Sequence, residues 1–335
     1  MVVNGNAKSV NDEVISTLDQ ILKGGDLFVS RRLEEGAEIA RTLVSRGYDT
    51  VLTGGGDGTF TVMVTEVVRE ARRQGRALPR FGLLKLGTGN ALAWVVGASR
   101  AQKRGKGLSV DIQRLREDAG SRTIRLVEAE DMIAPFAGFG VDAVVLADYA
   151  VVKRRLSQTP LKRVASGPLS YAISSVTRSI PSYFLRKVPH CRVVNLGAPA
   201  WRVGPRGQLT EPAFDTGELL YEGPARVASA STIPYFGFGF RFFPFAEDRP
   251  DRMHLRVSAI TPSAFVANFP AIWRGEYEDP VSTSDFLVEH VRIEMDPPTE
   301  FQIGGDPRGE RAVMELRLSP TPIQLVDFYA PPSAS

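Results

Sequence analysis

Apolar positions in the first hundred residues switch repeatedly between a strand-like run and a helix-like spacing. Val2-Val3 ends a short strand that runs into the Asn4-Gly5-Asn6 turn. Val14, Ile15, Leu18, Ile21 and Leu22 then share one helix face. Leu27-Phe28-Val29 predicts a second strand. Ala37, Ala40, Leu43 and Val44 predict a second helix, with Gly47 as its C-terminal stop. Thr50-Val51-Leu52-Thr53 predicts a third strand that passes directly into Gly54-Gly55-Gly56-Asp57-Gly58-Thr59. Phe60, Met63, Val64, Val67, Val68 and Ala71 mark the buried face of the next helix. Phe81 to Leu84 predicts a fourth strand, followed by Leu86-Gly87-Thr88-Gly89-Asn90 and a short helix over Ala91–Val96. Strands alternating with helices imply a parallel sheet covered on both faces.

From about Ser121 the pattern changes. Short strand-like runs recur at Thr123–Val127, Val141–Leu146, Met253–Val257, Val291–Met295, Val313–Leu318 and Ile323–Val326, separated by Pro- and Gly-rich turns. One helical stretch, roughly Pro168–Ser179, interrupts them. This predicts an antiparallel β-sandwich or barrel. The expected division is an α/β three-layer domain over 1–120 and an all-β sandwich domain over 121–330, whose last strands could return towards the first domain. Pro331 to Ser335 reads as a frayed tail.

Composition narrows the class. With 335 residues, 43% hydrophobic and 24% charged, the chain reads as globular, and its length favours two domains. A single cysteine, Cys191, excludes an internal disulfide framework and points to a reducing compartment. The three histidines, His190, His254 and His290, lack ligand spacing, which argues against zinc. No run of about 18 apolar residues predicts a membrane span, and the opening MVVNGNAKSV lacks a signal-peptide layout. The expectation is a cytoplasmic protein.

The net charge of +3 hides an asymmetry. Tyr149 to Thr210 contains no Asp or Glu but eleven basic residues, among them Lys153, Arg154, Arg155, Lys162 and Arg163, leaving the rest of the chain at −8. A basic block in an otherwise acidic protein faces something anionic or is simply a solvated surface. Its interleaved Leu161, Tyr171, Ile180 and Phe184 suit transient docking on an anionic membrane better than a nucleic-acid groove. No nucleic-acid-binding signature accompanies it.

The two glycine loops carry the candidate chemistry. Each follows a strand and opens a helix, so backbone N–H groups and a helix dipole can meet an anion at close range. Neither is a Walker A loop or a dinucleotide fingerprint. In a parallel sheet both loops emerge at the carboxyl edge, where such folds bind ligands.

GGGDGT, LGTGNALA, FGVDA (Phe139–Ala143), SGPLSYA (Ser166–Ala172) and QIGGDP (Gln302–Pro307) occur in this order. In them the chain resembles the diacylglycerol-kinase-like lipid kinases, which include bacterial lipid kinases and sphingosine kinases. The resemblance implies an NAD-kinase-like α/β domain, a β-sandwich lipid domain, and Mg²⁺-dependent transfer of the ATP γ-phosphoryl group to a lipid hydroxyl. It assigns ATP phosphates to Gly55, Gly56, Asp57, Gly58 and Thr59, and to Gly87, Thr88, Gly89 and Asn90. Ser30 is a weaker match to a nucleotide-contacting position. Asp57 is expected to act through Mg²⁺ or its water shell, with a turn-stabilising cap as the alternative. The proposed proton acceptor falls at Asp306, in Gly304-Gly305-Asp306-Pro307, while a shifted register offers Glu310.

The chain departs from the family pattern at several points. The Asn-Glu that commonly follows GGDGT is Thr61-Val62, the Asp after GTGN is Ala91, and the leading Asp near the expected base is Gly304. Lys85 replaces a common Pro before LGTGN, either contacting phosphate or lying in solvent. The Asp-Gly of a structural Mg²⁺ site in some bacterial members is missing after Pro244-Phe245-Ala246. Tyr235 to Phe243 reads as an aromatic strand, either sandwich core or one wall of an acyl-chain cleft. The leading reading is a lipid kinase for a substrate such as diacylglycerol or a sphingoid base. The alternatives are an NAD-kinase-like enzyme and a catalytically weak nucleotide or lipid sensor. The lipid and the oligomeric state stay open.

Overall fold

The chain begins with β1 (Val2–Asn4), α1 (Asp12–Leu22), β2 (Phe28–Ser30), α2 (Glu35–Arg46), β3 (Thr50–Gly55), α3 (Asp57–Gln74), β4 (Arg80–Lys85), α4 (Ala91–Val95) and β5 (Ser121–Ile124). The computed structural model describes residues 1–7, 10–22, 26–32, 34–87, 90–98, 120–140, 187–237 and 239–329. These fall into two units: Met1–Arg125 with Asp131–Ala134 and Pro320–Ser335, and Leu126–Glu130 with Pro135–Ser319.

In the first unit the sheet order is β2-β1-β3-β4-β18-β5, where β18 is Ile323–Val326. The strands β2, β1, β3, β4 and β18 run parallel, and β5 is antiparallel to β18. Gly47 ends α2 in the left-handed region (φ 68°), where its N–H and that of Tyr48 close the last turn on Val44 and Leu43 carbonyls. Phe60, Met63, Val64 and Val67 of α3 are fully buried, and Phe60 meets Phe81 of β4 edge-on at 6.1 Å. Each such side chain contributes about 1.5–3 kcal/mol of burial. On another side, Leu18 of α1 joins Val3, Leu52, Leu84 and Leu86 in a second apolar cluster. The spacing-based helices and strands of this unit all form.

The second unit contains β6 (Val127–Ala129), β8 (Phe136–Gly140), β9 (His190–Asn195), β10 (Ala200–Val203), β11 (Leu209–Phe214), β12 (Leu219–Pro224), β13 (Val227–Ser231) and β14 (Met253–Ser258). Two short helices, α5 (Pro262–Ala267) and α6 (Phe269–Arg274), precede β15 (Thr283–Val288), β16 (His290–Ile303) and β17 (Asp306–Leu318). The intervening β7 (Met132–Ala134) belongs to the first unit, where the Thr65 hydroxyl of α3 accepts the Ile133 N–H at 2.9 Å. All pairing in the second unit is antiparallel, along the path β11-β10-β15-β14-β13-β8-β16-β17-β6, with β9 on β16 and β12 on β9.

Three expectations need correction. The Thr123–Val127 run is two strands, because β5 pairs with β18 while β6 pairs with β17. The helices α5 and α6 were not anticipated, since Pro262 and Pro270 break their pattern into short pieces. The aromatic run 235–243 is not a strand. Gly237 and Gly239 adopt φ of 132° and 85°, and the Phe236 N–H reaches back across a tight turn to the Phe240 carbonyl at 2.8 Å. Phe243 is nonetheless fully buried, and Phe236 packs 4.7 Å from Phe136. The expected strand at Val141–Leu146, the helical stretch Pro168–Ser179 and the basic residues up to Arg186 lie outside the described residues.

Candidate functional site

The order β2-β1-β3-β4 places a topological switch point between β1 and β3, the position at which open α/β sheets bind ligands at the carboxyl ends of their strands. Three loops meet there: Asn4-Gly5-Asn6 after β1, the Gly55-Gly56-Asp57 turn after β3, and the segment from Leu86 after β4. The last two touch backbone to backbone. The Gly87 N–H donates to the Gly55 carbonyl at 2.7 Å. A Cβ on Gly87 would lie 2.3 Å from Gly56 Cα, and one on Gly55 would lie 2.4 Å from Thr59 Oγ1. Glycine is required at both positions by this close approach.

Asp57 joins the loops electrostatically. It is the first residue of α3, yet its carboxylate accepts the Ala91 N–H at 2.9 Å and the Leu92 N–H at 3.4 Å, capping α4. This is the capping geometry of an acidic N-cap, supplied from another element. Asn90, just before α4, adopts the left-handed region (φ 50°, ψ 54°) and donates from Nδ2 to the Gly87 carbonyl at 2.7 Å. Gly56 is extended (φ −101°, ψ −173°) and, among the described residues, no N-cap side chain caps α3, so the first turn of this 18-residue helix turns its N–H groups towards the loop region. These groups and the helix dipole suit an anion.

Thr59 accepts a hydrogen bond from Asn4 Nδ2 at 3.1 Å. Ser30, at the end of β2, donates its hydroxyl to the Arg32 carbonyl at 3.1 Å, and its carbonyl receives the Gly5 N–H at 2.8 Å. Thus Gly55, Gly56, Asp57, Gly58, Thr59, Gly87 and Asn90 assemble around one edge, with Ser30 on the neighbouring strand end. Thr88 and Gly89 lie outside the described residues. The Lys85 ammonium sits 4.0 Å over the Trp94 ring, a cation–π contact that neither sequence alternative included. Asn4 and Asn6 were read only as turn residues, although Asx turns mark loops where side-chain amides organise backbone.

Asp306 belongs to the second unit, at the start of β17. Gly304 and Gly305 turn the chain there with φ of 58° and 88°, and the Gly305 N–H donates to Gln302 Oε1 at 2.7 Å. Asp306 is exposed by surface area, yet the protein massed around it raises its carboxyl above the ordinary value, against the pull of the Arg308 charge. Its wet surface keeps that shift modest in energetic meaning. Glu310 is also exposed and lies directly across from Glu300 in the β16–β17 pairing.

The described residues of the site do not build a protein-held metal site. Both Asp57 oxygens are engaged by N–H groups, and no cluster of three His, Cys, Asp or Glu side chains among the described residues could hold an ion. A Mg²⁺ ion arriving with ATP would find its ligands chiefly on the phosphates. The segment after Pro244-Phe245-Ala246 is occupied differently. Arg252, 8% exposed, donates to Asp251 Oδ2 at 2.7 Å, to the Asp251 carbonyl at 2.8 Å and to the Pro199 carbonyl at 3.2 Å. Its guanidinium centre and that of Arg249 lie 5.3 and 4.3 Å from the Trp201 ring centre. A guanidinium therefore satisfies the Asp251 carboxylate and the Asp251 and Pro199 carbonyl oxygens here.

A second buried charge cluster lies on β14 and β15. His254 Nε2 is 2.9 Å from Asp285 Oδ1, and Arg256 grips both Asp285 oxygens at 2.7 and 2.9 Å. Arg256 also donates to the Phe242 carbonyl at 2.6 Å, tying the aromatic turn to the sheet. Burial pushes Asp285 up, but Arg256 and His254 outweigh it and hold the carboxyl well below the usual range. Burial pushes His254 down, against the attraction of Asp285.

The first unit is thus an open α/β domain whose two glycine loops are joined at its switch point. Residues 2–121 match the Diacylglycerol kinase catalytic domain. The chain is 27% identical over 185 residues to a protein named "Probable lipid kinase YegS-like" of Enterobacter sp. (strain 638). That match covers 52% of this chain and 54% of the relative, so the chain spans about half the length of the curated relative it matches. A crystal structure of a diacylglycerol kinase from Bacillus anthracis str. Sterne superposes with a TM-score of 0.58 at 13% identity, covering 97% of this chain and 95% of that one. Another crystal structure from the same organism gives a TM-score of 0.65 at 13% identity with the same coverage. At these identities the likeness is one of fold, and it spans both units.

Proposed function

We propose that the chain is a lipid kinase that transfers the ATP γ-phosphoryl group, as a Mg²⁺ complex, to the hydroxyl of a lipid such as diacylglycerol or a sphingoid base. The observation that carries this reading is the joining of the two glycine loops at the switch point, Gly87 N–H on Gly55 carbonyl and Asp57 on the start of α4, within the stretch that matches the Diacylglycerol kinase catalytic domain. Phosphoryl transfer depends mainly on positioning and charge neutralisation. The start of α3, with the backbone of Gly56, Asp57 and Gly58, supplies N–H groups for phosphate oxygens. Gly87, Thr88, Gly89 and Asn90 complete the loop pair, and Ser30 is assigned to the nucleotide side. Asp306 is assigned as the base for the lipid hydroxyl, since its raised carboxyl is a better proton acceptor than an ordinary one.

The basic residues between 149 and 210 are assigned to transient docking on anionic membrane at the cytoplasmic face. Binding to anionic liposomes should fall steeply as salt rises, and salt-insensitive binding would refute the electrostatic docking. The decisive experiment for the activity is Mg²⁺-dependent transfer of labelled γ-phosphate from ATP to a panel of neutral lipids in mixed micelles. Wild type runs beside Asp306→Asn. A labelled lipid that is lost in the variant supports both activity and base, and label that survives moves the base to Glu310 or elsewhere. ATP bound without any labelled lipid would favour a sensor, a reading to which the full engagement of the Asp57 oxygens lends weight.

A further inference from the structure

We infer that Asn4 is a positioning residue for the glycine-loop site, acting through the hydroxyl of Thr59; this rests on the phosphate-binding reading of that site. Asn4 ends β1, on the strand next to β3 at the switch point. One atom of its side-chain amide faces the backbone N–H of Asn6 at 2.9 Å. A backbone N–H can only donate, so that atom is Oδ1 and the orientation of the amide is fixed. The other atom is therefore Nδ2, and it must donate to Thr59 Oγ1, 3.1 Å away.

That direction matters for Thr59. A hydroxyl carries one proton and two lone pairs. Accepting from Asn4 uses a lone pair and leaves the proton for a different acceptor, and Thr59 Oγ1 makes no other hydrogen bond among the described residues. The hydroxyl packs over Gly55, where a Cβ would lie only 2.4 Å away, and belongs to the first turn of α3. An anionic oxygen seated at that turn is the acceptor the proton lacks. The turn that holds Asn4 is itself braced, with Asn6 Nδ2 on the Arg31 carbonyl at 2.8 Å and the Gly5 N–H on the Ser30 carbonyl at 2.8 Å. Asn4 thereby orients a donor towards phosphate without needing to touch it.

The test is a double-mutant cycle on the full chain, reading Mg²⁺-ATP affinity by titration calorimetry and melting temperature alongside. Thr59→Val removes the hydroxyl, and a hydrogen bond to a charged group predicts about a ten-fold or greater loss of affinity. Asn4→Ser keeps a short acceptor for the Asn6 N–H but cannot reach Thr59, and should weaken ATP several-fold with little change in melting. In the Thr59→Val background the same Asn4→Ser change should have no further effect. Asn4→Ala, run through the same cycle, drops both hydrogen bonds and reads the share of the turn itself. Losses of equal factor with and without the Thr59 hydroxyl, for both Asn4 variants, would overturn the inference while leaving the nucleotide reading intact. A wild-type chain that binds no ATP would overturn both.

Discussion

Gly56 and Gly87 are both glycines of the proposed nucleotide loops, but the structure separates them sharply. A methyl group added at Gly87 would lie 2.3 Å from Gly56 Cα, 2.5 Å from Gly56 N and 2.7 Å from the Gly55 carbonyl oxygen. All three are backbone atoms, so no side chain can swing aside. Gly87→Ala must push the two loops apart and break the 2.7 Å bond from its N–H to Gly55. The lost backbone bond is worth about 1 kcal/mol, and overpacking adds about 1–3 kcal/mol. A destabilisation of about 2–4 kcal/mol should lower the melting temperature by about 3–6 °C at this size. At Gly56 the nearest atom of the described residues to an added methyl is 3.7 Å away, and the backbone (φ −101°) is open to any residue. Gly56→Ala should therefore stay within about 0.5 kcal/mol of wild type. Thermal unfolding followed by circular dichroism compares the two directly. Equal melting temperatures for both variants would refute the loop geometry, whatever the ligand proves to be.

Asp57→Ala should free the start of α4 and cost about 1 kcal/mol as a lost cap, while Asp57→Asn, retaining one acceptor oxygen, should lose less; chemical denaturation ranks the two. Folding leaves His254 with a pKa below its unfolded value of about 6.5, so the unfolded chain binds the extra proton and stability falls as pH drops through that value. A melting temperature that does not decline between pH 7 and 5.5 would count against a buried neutral imidazole. Burial pushes the Cys191 thiol up to about 12, so a thiol reagent should label the native protein slowly and the denatured protein at once. Arg252→Ala should lower the melting temperature by removing a buried guanidinium and leaving the Asp251 and Pro199 carbonyls without their donor, whereas the half-exposed Asp251 carboxylate keeps water and Arg249 as partners.

The first unit was largely legible because its signals are local. Periodicity located α1, α2 and α3, and Gly47 stopped α2 through the positive φ that glycine tolerates. The glycine loops were legible as a pair because each sits at a strand-to-helix joint. Their mutual contact was not, since it depends on the parallel order of β3 and β4. The role of Asp57 as a cap for α4 was weighed only as a local turn effect, whereas its partners lie more than thirty residues away. In the second unit the strands were visible but their pairing was not. The aromatic run from Tyr235 alternates like a strand, but its intervening glycines supply the positive φ of a turn. The His254, Arg256 and Asp285 cluster left no trace in spacing, because it forms across two antiparallel strands.

The departures from the family pattern share a physical character. Ala91 is fully buried with its N–H on the Asp57 carboxylate, so an acidic side chain there would place two carboxylates together without solvent. Thr61 is fully buried in α3, and Val62 packs where a Cβ on Gly36 of α2 would meet it at 3.0 Å. Arg252 is buried with its charge spent on Asp251 and on backbone carbonyls. At each of these positions the chain holds a group committed to packing or to internal pairing. In the proposed nucleotide site, the groups offered to phosphate by the described residues are backbone N–H together with a few hydroxyl and amide groups, aimed by glycines and caps. Recognition built that way is sensitive to backbone position and tolerant of side-chain loss. Substitutions that move the loops should therefore abolish binding more completely than any single removal of a polar side chain, and the ordering of Gly87→Ala against Thr59→Val in ATP affinity tests that consequence.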